Sequence, residues 1–368
     1  MTFINHLIGI NTAMNSISND LLKRQQEIRE RWLALIGNFP VRRPAFAPRI
    51  VVTEKQDKYD RIKIALFADA DYPDDVIHAW LLVPHGLKGK APAMLCLHPT
   101  TFGCGKDIVV DNLETHMANA PANIRALPPE FFSGRAYARH LVERGYVVLA
   151  PDIYSDGERV EPGHRSYEPL NFYQRYPEWS VVGKAIWDNM LAVDYLCSLD
   201  YVDKNNIGVI GHSLGGHSSV FAAGFDDRLK AVVTNGGCTV FRKYLEHWSR
   251  LPLPAELAKD RPPVYCYIPK FRNYMANASI PNPVNFADIM SLVCPRNLLY
   301  SGATSNSGHE GGLEVMQETW DGIYKFYQQA GVPENVHYHI YPGNHGFPDR
   351  ARDYVYRWLD EKLKTPKG

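Results

Sequence analysis

The chain has 368 residues, 40 Lys and Arg against 40 Asp and Glu, and 45% hydrophobic residues. That length is long for one core and short for two full ones. The neutral balance, with no long basic or acidic block, points away from nucleic acid or an anionic membrane surface as partner.

The first twenty residues, MTFINHLIGINTAMNSISND, have no basic start, long apolar run or small-residue cleavage site. No stretch approaches the roughly 18 apolar residues of a membrane span, so a cytoplasmic protein is expected. Six cysteines (Cys96, Cys104, Cys197, Cys238, Cys266 and Cys294) are scattered without a C-x-x-C pair. Neither a zinc site nor a disulfide framework is expected; they read as free, mostly buried thiols in a reducing compartment.

Residues from about 18 to 36 read as a helix, with Leu21, Leu22, Ile28, Trp32 and Leu35 on one broad face. Pro40 and Pro44 end it. Residues 1–48 are therefore read as an N-terminal helical segment packing on a main domain of residues 49–368. Arg49–Thr53, Arg61–Phe67 and Val76–Pro84 are β-branched runs between polar turns. Ala93–His98 and Tyr146–Ala150 are apolar runs that suit buried parallel strands. Ala136–Arg144 and Pro177–Leu199 read as helices, and Ile207–Gly211, Leu229–Thr234, Asn297–Tyr300 and Val336–Tyr341 as further strands. Trp320–Ala330 and Ala351–Lys364 complete the helices. Alternation from about residue 93 onward predicts an α/β fold with a mostly parallel, doubly wound sheet and helices on both faces. Two irregular stretches, at about 101–134 and 239–295, break it and read as binding loops or cap insertions.

The sharpest motif is Gly211-His212-Ser213-Leu214-Gly215-Gly216, a G-x-S-x-G between an apolar strand and a small-residue helix. In that context the turn is sharp and strained and lifts the Ser213 hydroxyl above the sheet. The helix that follows aims its first N–H groups where negative charge develops. In this chain order the general base follows the last strand. His345, in Pro342-Gly343-Asn344-His345-Gly346, is that histidine. His212 and His217 flank the nucleophile, and His98 reads as support for the loop after its strand. The third member is expected after Asn297–Tyr300, but Ala303–Ser307 contains no acid. Glu310 is the first carboxylate downstream and the chosen candidate, with Glu314 as the alternative or no acid in this loop. Asp288 reads as structural and His309 as a surface residue. Pro99 has no N–H, so Thr100 is the first amide after the strand ending at His98. Leu214 and Thr100 are the expected oxyanion donors, each worth about 3 kcal/mol to a transition state.

With these residues placed, the chain resembles the dienelactone-hydrolase-like branch of the α/β-hydrolase superfamily, which includes acetyl-xylan-esterase-like and related carboxylesterase-like proteins. LCLHPTTFGCGKD, YARHLVERGYVVLAPD, EWSVVGKAIWDNMLAVDYL, VIGHSLGGHSS, CPRNLL and YPGNHGFP carry the resemblance in family order from about residue 93 to 348. Trp32–Gly37 resembles the family's N-terminal region. The resemblance implies the α/β-hydrolase fold, acyl transfer to water through Ser213 and His345, and no cofactor. The family's loop Asp has no counterpart near Ser305.

Asp152 and Asp156 read as loop anchors, and Glu178, Lys184 and Asp188 as surface ion pairs along a helix. Two aromatic clusters, Tyr167, Phe172, Tyr173, Tyr176 and Trp179, and Tyr265, Tyr267, Phe271 and Tyr274, are core packing or pocket lining. Three functions use these residues differently. The first is hydrolysis of a small-molecule carboxylic ester. The second is amide or peptide hydrolysis at the same site. The third is a hydrolase-like binding protein without catalysis, favoured only by the missing acid near Ser305.

Overall fold

The computed structural model describes residues 18–101, 103–112, 135–238, 240–241, 248–250, 266–275, 283–305 and 312–364. Nine strands are described: β1 (Arg49–Lys55), β2 (Tyr59–Phe67), β3 (Val76–Pro84), β4 (Ala91–Leu97), β5 (Val147–Pro151), β6 (Val202–His212), β7 (Leu229–Asn235), β8 (Asn297–Ala303) and β9 (Val336–Tyr341). They form one sheet in the order β1-β2-β3-β5-β4-β6-β7-β8-β9. β1, β2 and β3 pair antiparallel, β3 joins β5 antiparallel, and everything from β5 to β9 is parallel. This is the α/β-hydrolase fold. The chain leaves β4 toward one edge and β6 toward the other. The switch point of the sheet therefore lies between these two strands, where open α/β sheets place their ligands.

The parallel strands are apolar on both faces because both are covered. Along β4, Ala93, Leu95 and Leu97 enter one core while Met94 and Cys96 enter the other. The first core is shared with helices α1 (Asn19–Ile36), α4 (Val181–Ser198) and α5 (Leu214–Ala223), and the second with α2 (Tyr137–Glu143) and α8 (Asp349–Leu363). Two short helices, α3 (Leu170–Arg175) and α6 (Phe286–Ser291), a longer one, α7 (Gly312–Gln329), and a single helical turn at Arg272–Met275 complete the described α-helices. α1 starts at Ser18, whose hydroxyl caps Leu21 N–H, and it buries Ile28, Trp32 and Ile36 completely. Trp32 packs its ring 5.2 Å from Phe221 of α5. Gln25, also buried, ties α1 to the carbonyls of Ser291 and Cys294 at 2.9 Å each.

Several boundaries differ from the sequence reading. β6 begins five residues earlier than Ile207, because its first residues, Asp203 to Asn206, are polar and carry no strand signal. α7 begins at Gly312, eight residues before Trp320, and puts Glu314 in its first, exposed turn. α3 and α6 are too short to show a period. Asp288 accepts from Asn285 N–H at 3.0 Å, at the start of α6. Among the described residues no helix is long and apolar enough to cross a membrane.

One correction concerns α4. Lys184 and Asp188 are not surface residues; both are buried, as are Arg159 and the side chain of the half-buried Asp75. Arg159 bridges Asp188 and Asp75 at 2.7 Å each, and Lys184 reaches Asp75 at 2.7 Å and Asp188 at 2.5 Å. The helix is apolar almost all round, so its charges have no solvent to face and must pair with one another. Glu178 is exposed and 3.0 Å from Lys270 as a surface ion pair would be, but it lies before α4, which begins at Val181 rather than at Pro177. Burial works to raise the Asp75 carboxyl pKa, but Lys184 and Arg159 outweigh it and hold it well below the usual range. That stability is present above the ordinary carboxylate pKa and drains away as pH falls through the lowered one. Replacing Asp75 by Ala leaves two buried cations to share Asp188 alone and is expected to cost about 3–5 kcal/mol in urea unfolding at neutral pH. A loss under about 1 kcal/mol would show the network to be solvated.

Candidate active site

Ser213 sits between β6 and α5 with φ 57° and ψ −119°, a conformation that L-residues seldom adopt. Three close backbone approaches hold it there. A Cβ on Gly211 would lie 2.1 Å from Gly215, one on Gly215 2.0 Å from the Leu97 carbonyl, and one on Gly216 2.8 Å from the Asn235 carbonyl. The turn therefore closes only with glycine at all three. Ser213 N–H donates to Asn235 O at 2.8 Å, tying the turn to the end of β7. Its hydroxyl lies 2.9 Å from His345 Nε2. With the proton on Nδ1, the imidazole accepts at Nε2 from the serine, which is the geometry of general-base activation.

His345 lies on the turn after β9, and that turn is fastened from two sides. Tyr341 hydroxyl donates to Gly346 O at 2.6 Å, and the chain after β8 runs alongside, with Thr304 N–H on Tyr341 O and Ser305 N–H on Gly343 O, both at 2.9 Å. Residue 306 and those to 311, Glu310 and His309 among them, lie outside the described residues. His212 is fully buried, its ring 4.9 Å from that of His345 and 6.0 Å from Phe347, with Nδ1 2.7 Å from Asn235 Oδ1. Burial first, then the neighbouring His345 and Arg135, push its pKa well below the ordinary imidazole value, so it stays neutral. His217 is half-buried against Trp248 and Phe286.

The loop after β4 is held by the loop after β5. His98 Nδ1 is 2.8 Å from Pro99 O, and its Nε2 accepts from Ile153 N–H at 3.0 Å. Thr101 N–H donates to Tyr167 hydroxyl at 3.0 Å, and Tyr167 in turn donates to Asp156. Asp156 also accepts from Thr101 Oγ1 at 2.5 Å and Gly103 N–H at 2.7 Å. Burial, then Asp156, raises the Tyr167 hydroxyl pKa well above its ordinary value, so it remains a donor. Further along, the fully buried Lys106 donates from its backbone and its ammonium to Asp152, at 2.7 and 2.8 Å. Tyr167 and Ser155 both have positive φ, 67° and 70°, so this loop stores strain beside the site. Since Pro99 lacks an N–H and that of Thr101 is taken, Thr100 supplies the amide between them on this loop. Leu214 opens α5, where the helix leaves its first amides without intrahelical partners.

The aromatic clusters are packing for the most part. Tyr167, Phe172 and Trp179 are buried, as are Tyr267 and Phe271, and Tyr173 hydroxyl donates to Cys266 O at 2.6 Å. Tyr265 lies outside the described residues. Among the described residues no three His, Cys, Asp or Glu side chains gather as a metal site would require. Sequence reasoning missed Asn235, Tyr341 and Gly236. Only the last had a readable signal, the Gly-Gly pair directly after an apolar strand.

Residues 7–361 match the profile of the Abhydrolase family, and the chain belongs to it. It is 24% identical over 306 residues to YtaP of Bacillus subtilis (strain 168), a protein named only as a hydrolase, covering 81% of this chain and 87% of that one. A glucuronoyl esterase from Solibacter usitatus superposes with TM-score 0.66 at 20% identity over 92% of both chains. A promiscuous CE15 esterase from a marine bacterial metagenome superposes with TM-score 0.67 at 18% identity, covering 93% of this chain and 91% of that one.

Gly236, with φ 61°, passes directly under both histidines. A Cβ there would lie 3.0 Å from His212 Cε1 and 3.3 Å from His345 Cε1. Gly236→Ala is expected to leave the circular dichroism spectrum intact while lowering kcat by at least about tenfold, since small displacements of a reacting group are costly. An alanine variant with parental kcat would show that the histidines have room to spare.

Proposed function

We propose that the chain hydrolyses carboxylic esters through an acyl-enzyme on Ser213. The observation that carries this reading is the 2.9 Å contact between Ser213 Oγ and His345 Nε2 at a strained turn over the switch point of the sheet. His345 takes the hydroxyl proton as Ser213 attacks the carbonyl carbon and returns it to the departing alkoxide. A water then attacks the acyl-enzyme by the same route in reverse. Leu214 and Thr100 N–H receive the oxyanion, and the α5 N-terminus adds its dipole.

Glu310 is proposed as the carboxylate that orients His345. Its loop departs from Thr304 and Ser305, which are bonded to the histidine turn, and this supports the assignment over Glu314 on the exposed first turn of α7. The substrate is proposed to be a small-molecule ester. The esterases named among the structural neighbours make carbohydrate-linked esters and short acyl sugars the first series to screen. No metal or cofactor takes part in these steps. Six scattered cysteines without a C-x-x-C pair favour a reducing, cytoplasmic compartment.

Ser213→Ala is expected to abolish cleavage of every ester the parent accepts, with an unchanged melting temperature. Retained turnover in that variant would refute the nucleophile. The parent rate is expected to fall on a single acid limb as His345 is protonated, because His212 is already neutral there. A second acid limb that vanishes in a His212 variant would contradict this. Glu310→Gln is expected to lower kcat by roughly a hundredfold or more, and Glu314→Gln only mildly. The reverse order would move the acid to Glu314. Turnover is expected to survive prolonged chelation; zinc-dependent recovery after chelation would overturn the serine mechanism.

A further inference from the structure

Asn235, the last residue of β7, is completely buried and uses nearly all of its hydrogen-bonding capacity around the Ser213–His345 pair. Its carbonyl accepts from Ser213 N–H at 2.8 Å. Its side-chain Oδ1 faces His212 Nδ1 at 2.7 Å, and its Nδ2 donates to Ser301 Oγ at 3.1 Å and to Tyr341 hydroxyl at 3.0 Å. Tyr341 passes this restraint on, donating to Gly346 O, one residue after His345. Burial pushes the Tyr341 hydroxyl up to about 12, so it keeps the proton that this bond requires. The other arm ends on the His212 ring, which lies against the His345 ring. One amide thus reaches both the floor beneath the base and the turn that carries it.

We propose that Asn235 is a positioning residue for His345, acting through Tyr341 and through His212. The chemistry of an amide suits this place. Its oxygen needs a donor and so selects the Nδ1–H tautomer of His212, and its two N–H groups need acceptors, which Ser301 and Tyr341 supply. Aspartate in the same position would lose both donors. An aliphatic residue would leave a buried imidazole N–H without an acceptor and would take from the Tyr341 hydroxyl the donor that orients it. The hub touches no substrate, so its effect has to travel through His345. The inference rests on the proposed role of His345 as base.

The test is a double-mutant cycle with a p-nitrophenyl ester of a short acid. Tyr341→Phe removes one oxygen, and Asn235→Ser keeps a hydroxyl but cannot span the distance to Tyr341. Each is measured alone and in the His345→Ala background. Alone, Tyr341→Phe is expected to lower kcat about tenfold and Asn235→Ser about a hundredfold, with KM within about twofold of the parent. In the His345→Ala background neither is expected to change the residual rate by more than about twofold. An equal fold-loss in both backgrounds would reveal a general structural role and overturn the proposal. So would an unchanged kcat in the parent background. Tyr341→Phe decides the matter alone should Asn235→Ser fail to fold. Full activity in His345→Ala by itself would refute the base, and is read separately from the cycle.

Discussion

The whole site hangs on a backbone conformation that the chain resists. Ser213 is held at positive φ, at a cost on the order of 1–3 kcal/mol, which the surroundings must supply. They do so by proximity. Three glycines let α5 start within contact distance of β4, β6 and β7, and the Asn235 carbonyl pins the serine amide. A single Cβ at Gly215 would push the helix off the end of β4, and the serine would lose both its elevation over the sheet and the amides beside it. Every other feature of the site is arranged around that fixed hydroxyl.

Two loops and one hub then hold the remaining groups still. The loop after β4 carries Thr100 and is fastened to the loop after β5 through His98, Thr101, Asp156 and Tyr167. Three of these ties are buried and the fourth is part-buried, and together they hold the backbone of this loop in one place. The histidine turn is fastened through Tyr341 and through the chain leaving β8. Polar groups packed this densely would be costly if any were left unpaired, and their pairing gives one arrangement rather than several. Farther out, the Asp75–Arg159–Asp188–Lys184 cluster links the β3 approach, the loop after β5 and α4, so the same loop is anchored at both ends.

The fold was readable in the sequence because the parallel strands are apolar on both faces and alternate with helices. Ser213 stood out because its motif lies between strand and helix, and chain order selected His345 among the histidines nearby. Asn235 was hidden, since an Asn before Gly-Gly reads as an ordinary turn residue and its partners, Ser301 and Tyr341, are 66 and 106 residues away. Lys184 and Asp188 misled because charges four apart on a helix normally mark its wet face, whereas α4 is enclosed. The third catalytic group was ambiguous from the start. The loop after β8 replaces an expected Asp with Ala303–Ser307, and no periodic signal tells how far a Gly-rich segment reaches before turning back.

The central claim is that Ser213 is an activated nucleophile rather than a serine in a tight turn. Reaction of the folded protein with a fluorophosphonate, followed by peptide mass spectrometry, measures this directly. The account predicts one stoichiometric adduct, on Ser213, formed far faster in the parent than in the His345→Ala variant. No adduct, an adduct on another residue, or labelling that ignores the loss of His345 would contradict it.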